Sequence, residues 1–194
     1  MEINPITLTG QIVRLEPLSV THVPSLAIAG RDERIWRYML YGNVLTEAQM
    51  LSLVLDLLNR QAQGTDLPFA VICLSAGEAI GMTRYMEIQR EHQGLEIGGT
   101  WYATAYQRTV VNTECKYLLL KHAFEDLECV RVQFKTDKRN LPSQRALTRI
   151  GAKKEGVLRH HMITPNGYLR DSVYYSILKE EWPMIQAKLE HLLA

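Results

Sequence analysis

Gln107-Arg108-Thr109-Val110-Val111-Asn112-Thr113-Glu114 joins a strand-like segment ending at Trp101-Tyr102 to a segment with helical character. With Asn112 as its N-cap, the helix carries Thr113 and Glu114 in its first turn, and the residues before it offer a run of backbone N–H groups. The first N–H groups of a helix lack internal partners, and the aligned peptide dipoles add about half a positive charge there, so anions are attracted. Arg108 places a guanidinium beside the same point, and pyrophosphate is the ligand type that suits the combination. An ordinary strand-to-helix connection is the competing reading, because anion-ready helix starts are common.

Other residues invite chemical readings of their own. His160 and His161 are neighbours on a strand-like segment, so their side chains diverge, and no nearby Cys or second His pair completes a metal site. No metal is expected; structural or solvent-facing roles outrank base or acceptor binding for these two. Asp171 shares strand parity with Leu169, Val173, Tyr175 and Ile177, so its carboxylate interrupts an apolar face and needs a partner, for which Arg159 or a backbone turn is available. Tyr174 and Tyr175 face opposite sides, so one of them can reach a cleft as a proton donor. Trp36, Tyr38 and Tyr41 form an aromatic cluster between two helical segments.

The segments that must position these groups fit one domain over residues 1–194. The composition, 46% hydrophobic, is enough for a sizeable core. With 22 Lys+Arg against 21 Asp+Glu, the net charge of +1 offers no general attraction to nucleic acid or anionic membrane. Cys73, Cys115 and Cys129 are few, widely spaced and set among apolar residues, which reads as buried thiols of a reduced compartment. No leader pattern or membrane-length apolar run is present, so the expected location is cytoplasmic.

Periodicity predicts strands over Gln11–Leu15, Phe69–Leu74, Ala79–Ile88 and Leu95–Tyr102, with a hairpin at Ser75-Ala76-Gly77-Glu78. Helices are predicted over Val20–Ala29, over Thr46–Gln63 with Thr46 as N-cap, and over Asn112–Leu127. The alternation of Val130, Val132 and Phe134 with Arg131, Gln133 and Lys135 predicts a half-buried strand directly after that third helix. Asn140 caps a shorter helix through Ile150, stopped by Gly151. Strands Lys153–Ile163 and Tyr168–Leu178 follow around a Pro165-Asn166-Gly167 turn, then a helical tail from Glu180 to Leu193.

Several pieces in this order are similar to the GNAT superfamily of acyl-CoA-dependent N-acetyltransferases, in its RimJ/RimL-type branch. They are Glu96-Ile97-Gly98 with Trp101, the loop and helix from Gln107 through Ala123-Phe124, Lys135-Thr136-Asp137, Asn140-Leu141-Pro142-Ser143, Ile150-Gly151-Ala152 with Glu155-Gly156, Arg170-Asp171, Tyr175-Ser176-Ile177 and Glu181-Trp182-Pro183. The resemblance covers nearly the whole chain. It implies an α/β (α+β) fold, a mixed and mostly antiparallel sheet flanked by helices, whose central strand splays from its neighbour to admit the pantetheine arm. It also implies acetyl-CoA as cosubstrate, bound by Trp101, Tyr102, Ala103, Gln107, Arg108, Thr109, Val110, Val111, Asn112, Asn140 and Ser143. Gln107 matches the first position of the family's Q/R-x-x-G-x-G/A pattern, whereas Val110 and Asn112 stand where glycine and a small residue are usual. A β-branched Val110 is costly if that position requires φ > 0.

The implied reaction is direct attack of a neutral amine on the thioester. It needs a base for the ammonium, a donor for the oxyanion and a proton for the departing thiolate. Glu96 is the expected base: it alternates with Leu95 and Ile97 and shares a face with the small residues Gly98 and Thr100, with pairing to Arg84 as the alternative. Ser143, on the Asn-x-x-Ser match, is the expected thiolate donor. Trp36, Tyr38 and Tyr41 are the expected acceptor wall, against core packing as the alternative. The acceptor is a small-molecule amine or a protein N-terminus, and a homodimer through the C-terminal strands or helix is a further expectation. A noncatalytic acyl-CoA-binding or protein-interaction module is the second reading, supported by the missing glycines.

Overall fold

The computed structural model describes residues 1–194 and gathers every strand into one eight-stranded sheet. In chain order the elements are β1 (Leu8–Thr9), β2 (Val13–Pro17), α1 (Val23–Ala29), α2 (Glu47–Ala62), β3 (Leu67–Cys73), β4 (Glu78–Gln89) and β5 (Gly94–Tyr102). There follow α3 (Val111–Lys121), β6 (Arg131–Asp137), α4 (Leu141–Ile150), β7 (Lys153–Ile163), β8 (Leu169–Leu178) and α5 (Trp182–Leu193). The sheet order is β1-β2-β3-β4-β5-β6-β8-β7, and only β5 and β6 pair in parallel, across the α3 crossover. No helix is long and apolar enough to cross a membrane.

Local chemistry accounts for most boundaries. Thr46 accepts from the Gln49 N–H at 3.2 Å while the Gln49 side chain accepts from the Thr46 N–H at 3.1 Å, a reciprocal cap for α2. Asn140 accepts from the Ser143 N–H at 3.2 Å, and Gly151 ends α4 at φ 103°, a left-handed conformation that suits glycine. The third helix begins at Val111, one residue earlier than expected, and Asn112 lies inside it and not at its cap. Thr109 is the cause: its hydroxyl accepts from the Val111 N–H at 3.3 Å and starts the turn sooner. The same helix then closes on a π turn, His122–Asp126, before β6.

Two cores flank the sheet. One packs Cys115, Leu119, Leu147, Ile150, Ile185 and Leu189 from α3, α4 and α5 against residues of β2 to β8. The other packs Leu26, Met50, Val54 and Leu57 from α1 and α2 against Ala70, Ile72, Met82 and Trp101, which belong to β3, β4 and β5 alone. The second face of β6, β8 and β7 therefore has no helix over it.

Two features of β5 shape the centre. Its parallel pairing with β6 runs from Gly94↔Arg131 to Glu96↔Gln133 and stops, so beyond that point β5 pairs with β4 and β6 with β8. A bulge follows: Gly98 is opposite Arg84 and Trp101 opposite Met82, which leaves one extra residue on β5. Gly99 takes φ 59° there, and a Cβ on it would come within 3.0 Å of both the Arg84 Nε and the Tyr41 hydroxyl.

Candidate active site

The loop between β5 and α3 presents donors with nothing in the protein to receive them. The N–H groups of Arg108, Thr109, Val110, Asn112 and Thr113 have no acceptor, whereas Gln107 N–H is bound by Thr104 O and Glu114 N–H by Val110 O. Gln107 anchors the loop by donating from its amide to Tyr102 O at 3.1 Å. The left-handed residue is Arg108, at φ 61°; Val110 is right-handed at φ −69°, so the valine in the glycine position carries no backbone penalty. Arg108 itself is exposed.

The start of α3 is braced from two sides. Thr113 accepts from the Arg149 guanidinium on α4 at 2.9 Å. The buried Glu114 carboxylate accepts the N–H groups of Gln11, Ile12 and Val13 at 2.8, 2.9 and 2.7 Å. Gly10 is required beside it, since a Cβ there would collide with the carboxylate. Beyond Arg149, a shallow groove lined by Leu141, Gln144, Arg145, Thr148, Arg149 and Tyr175 runs along α4.

Glu96 sits where β5 and β6 part company. It is buried, with Oε2 receiving the Gln133 amide at 3.1 Å and lying 3.3 Å from the Lys135 ammonium. Burial holds its carboxyl above the ordinary carboxylate value, against the opposing pull of Lys135 and Gln133. Oε1 accepts no hydrogen bond from the protein, and Gly98 leaves the space beside it: a Cβ there would stand 3.1 Å from that oxygen. Arg84 is not its partner, being 3.2 Å from Asp66 instead.

Thr100 does not share the Glu96 face. The bulge at Gly99 turns it toward α3, where it receives the buried Lys116 ammonium at 2.9 Å and lies 2.8 Å from the Thr83 hydroxyl. Burial lowers the Lys116 pKa to about 8.

The remaining residues divide between the two sides of the sheet. Trp101 and Tyr102 bury their side chains in the two cores, one each, and Ala103 spends its N–H on Ile80 O at 2.8 Å. What these three leave on the β6 side is a backbone edge of β5 that no strand pairs with, its Tyr102 O taken by the Gln107 amide. Asn112 accepts from the Tyr102 hydroxyl at 3.3 Å, and Val111 is buried under the loop. Asn140 and Ser143 lie together in the first turn of α4, with Ser143 partly exposed. Tyr175 points to Gln144 of α4 at 3.5 Å, whereas Tyr174 is on the Glu96 side, 3.5 Å from His161 Nε2. His161 also meets Ser172 at 3.1 Å. Asp171 is served by the His160 N–H at 2.9 Å and by Lys138 at 3.4 Å, not by Arg159.

Of the three aromatics expected at an acceptor wall, Trp36 is buried: its indole donates to Gly30 O at 2.7 Å and packs 4.9 Å from Trp101. It belongs to the core and presents no face to solvent. Tyr41 is half-buried under the Arg84 guanidinium, and Tyr38 is partly exposed between Arg37 and Arg139. Arg139 also stacks 3.4 Å over the Tyr168 ring, so the segment around Tyr38 reaches the β7–β8 hairpin. Lys116, Lys135, Arg139, Arg149 and Arg170 escaped the sequence reading. Of these, Lys135 stood in the polar alternation of a half-buried strand, and Lys135 and Arg170 in the family resemblance, without a role being expected of them.

Comparison with known proteins agrees with this geometry. The family model described as "Acetyltransferase (GNAT) domain" matches residues 13–153. The "Putative ribosomal N-acetyltransferase YdaF" of Bacillus subtilis is 34% identical over 106 residues, which span 55% of this chain and 57% of that protein. A "putative acetyltransferase from T. thermophilus" superposes with a TM-score of 0.91 at 38% identity, covering all of both chains. Mycobacterium smegmatis RimJ, solved with CoA-disulfide, shares the fold at a TM-score of 0.80 and 20% identity, over 97% of this chain and 93% of its own. A phosphate-ready loop at the head of α3, a sheet parted beside a buried carboxylate and a family match over most of the chain lead to one assignment: the chain belongs to the GNAT acetyltransferase family.

Proposed function

We propose that the protein transfers the acetyl group of acetyl-CoA to a primary amine, of a small molecule or a protein N-terminus, by direct attack. The observation that carries this reading is the set of unpaired N–H groups of Arg108, Thr109, Val110, Asn112 and Thr113, at the end of a strand that no longer pairs with β6. Those donors fit a pyrophosphate, and the open edge fits an extended amide-containing arm. RimJ of M. smegmatis holds a CoA derivative on the same fold.

Bound acetyl-CoA supplies an activated acyl group; the chain positions it and moves protons. Glu96 takes a proton from the incoming ammonium, directly or through a water, at its free Oε1. Its raised pKa suits that task better than an ordinary carboxylate would. As the C–N bond forms and the C–S bond breaks, Ser143 offers its hydroxyl proton to the leaving thiolate. Demand on the base depends on the acceptor: an α-amine with pKa about 8 is roughly a tenth neutral at pH 7, and a lysine at about 10.4 less than one part in a thousand. The alternative of a noncatalytic acyl-CoA-binding module drew on the lost glycines, and Val110 in a right-handed conformation removes that support.

Titration calorimetry with acetyl-CoA, followed by thiol release across a panel of amines, tests the reading. Heat of binding and amine-dependent thiol are expected; neither appearing at saturating acetyl-CoA overturns it. Arg108→Ala should weaken acetyl-CoA more than a pantetheine fragment, with the difference shrinking in high salt.

A further inference from the structure

Val173, Tyr175 and Ile177 of β8 enter the core beneath α3 and α5, so Arg170, Ser172 and Tyr174 occupy the opposite side, the side of Glu96. Arg170 is 5% exposed, yet its guanidinium donates no hydrogen bond within the protein and its Nε is fully enclosed. It is also missing from every ion pair. Guanidinium cannot shed its proton to escape burial, so the Nε donor is held out of water unmatched, while the terminal nitrogens have no partner in the protein and are open to a ligand.

The two carboxylates whose field reaches it are already engaged. Asp137 receives the Arg139 N–H, Nε and Nη2 at 2.8, 3.1 and 2.7 Å, and Glu96 is held by Gln133 and Lys135. His161 lies on the same side; burial first, then Lys135 and Arg170, push its pKa below the ordinary value, which favours the neutral ring, and an imidazole supplies no anion in either form. The rim is built by the Arg139 guanidinium on the Tyr168 ring, with Tyr38 of the α1–α2 connection on its other flank. A guanidinium prepared in this way, in the field of the proposed base, lacks only an anion.

We infer that Arg170 anchors a carboxylate carried by the acceptor amine. The inference rests on the acetyltransferase reading and narrows its substrate to an amine that bears its own carboxylate. A monoanion is favoured over a phosphate dianion because Asp137 and Glu96 already place negative charge in the field of Arg170. The carboxylate belongs either to a free amino acid or to an acidic first residue of a peptide.

Thiol release is measured with two matched pairs: an amino acid against its amide, and a dipeptide amide with an acidic first residue against one with a neutral first residue. Thermal stabilisation by each amine is read beside it, in wild type, Arg170→Gln and Arg170→Lys. Wild type should prefer the carboxylate member of one pair by about 10–100-fold in kcat/KM, the scale of a charge-assisted hydrogen bond. Which pair responds identifies the source. Arg170→Gln should bring that ratio near one and Arg170→Lys should keep part of it. Without ligand, Arg170→Gln should melt no lower than wild type, whereas a purely structural arginine would lower the melting temperature and slow both members equally. Equal use of both members of both pairs, or a preference that survives Arg170→Gln, overturns the inference. If no amine releases thiol, the acetyltransferase reading fails, and the inference then stands or falls on whether the carboxylate amines stabilise wild type more than Arg170→Gln.

Discussion

Every residue of β3 is buried, whereas β6, two strands further on from β4, alternates between buried and half-buried along most of its length. Helices lie on both faces of β3 and on one face of β6, and the difference divides the labour of the sheet. In the doubly covered half, Glu114 is satisfied by backbone N–H groups and Lys116 by Thr100. In the singly covered half, Gln133, Lys135, Asp137, Arg170 and Tyr174 share one uncovered face with Glu96 at its inner edge. One half braces the loop before α3, and the other exposes the polar groups that surround Glu96.

Substitutions in the two halves should therefore fail in different ways, and the largest effect is expected at the boundary. Glu96→Gln should lower turnover by about 10²–10⁴-fold with little loss of stability. Because burial raises the Glu96 pKa, the acid limb of the wild-type pH–rate profile should lie above the ordinary carboxylate range and vanish in the variant. An unchanged acid limb would remove Glu96 as the base.

Glu114→Ala, in the covered half, should cost about 4 kcal/mol in urea unfolding, because the N–H groups of Gln11, Ile12 and Val13 lose a charged acceptor together. Acetyl-CoA binding should weaken with it, since the same residue braces the loop.

Lys116→Met should stabilise the protein at pH 7 by about 3 kcal/mol, through relief of a buried ammonium whose pKa has fallen from 10.5 to about 8. The folded state gives up this proton before the unfolded state does. The penalty is thus complete below about pH 8 and fades as pH rises to 10.5, so wild-type stability should climb across that window and the variant's should not. A gain that is the same at pH 7 and pH 10 would show that packing, not charge, was relieved.

The smallest effect belongs to a surface pair of the open half. Arg131 grips Glu155 in two bonds of 2.6 and 2.5 Å, and this pairing lowers the Glu155 pKa to about 2. The Glu155 side chain is 41% exposed, so screening should leave Glu155→Gln within about 1 kcal/mol of wild type. That contribution is present above the ordinary carboxylate range and lost as pH falls toward 2. A loss comparable to that of Glu114→Ala would erase the distinction between the halves.

The alternation and turn chemistry behind β7, β8 and α4 were readable because local pattern and tertiary environment agree there. The face of Thr100 was misread for a physical reason: strand parity holds only until an extra residue enters, and Gly98-Gly99 does not itself say which glycine carries the bulge. The Asn112 cap was misread because Thr109 supplies an acceptor two residues before the helix. Trp36 looked like a wall because its cluster is local in sequence, whereas its partner Trp101 lies on β5. Arg170 was legible only as part of the Arg170-Asp171 match, since strand pattern does not show that an arginine will be buried without a hydrogen-bond partner.

The clasp between Glu114 and residues 11–13 joins points about a hundred positions apart along the chain. During synthesis the first hairpin cannot lock until α3 has emerged, so the bracing of the loop is completed by a late, long-range closure and not by the loop itself. The amides of Gln11, Ile12 and Val13 are in effect reporters of the loop. Their hydrogen exchange should slow when acetyl-CoA binds far from them in sequence, and a chain shortened past Val13 should hold the ligand poorly even with every residue of the loop intact.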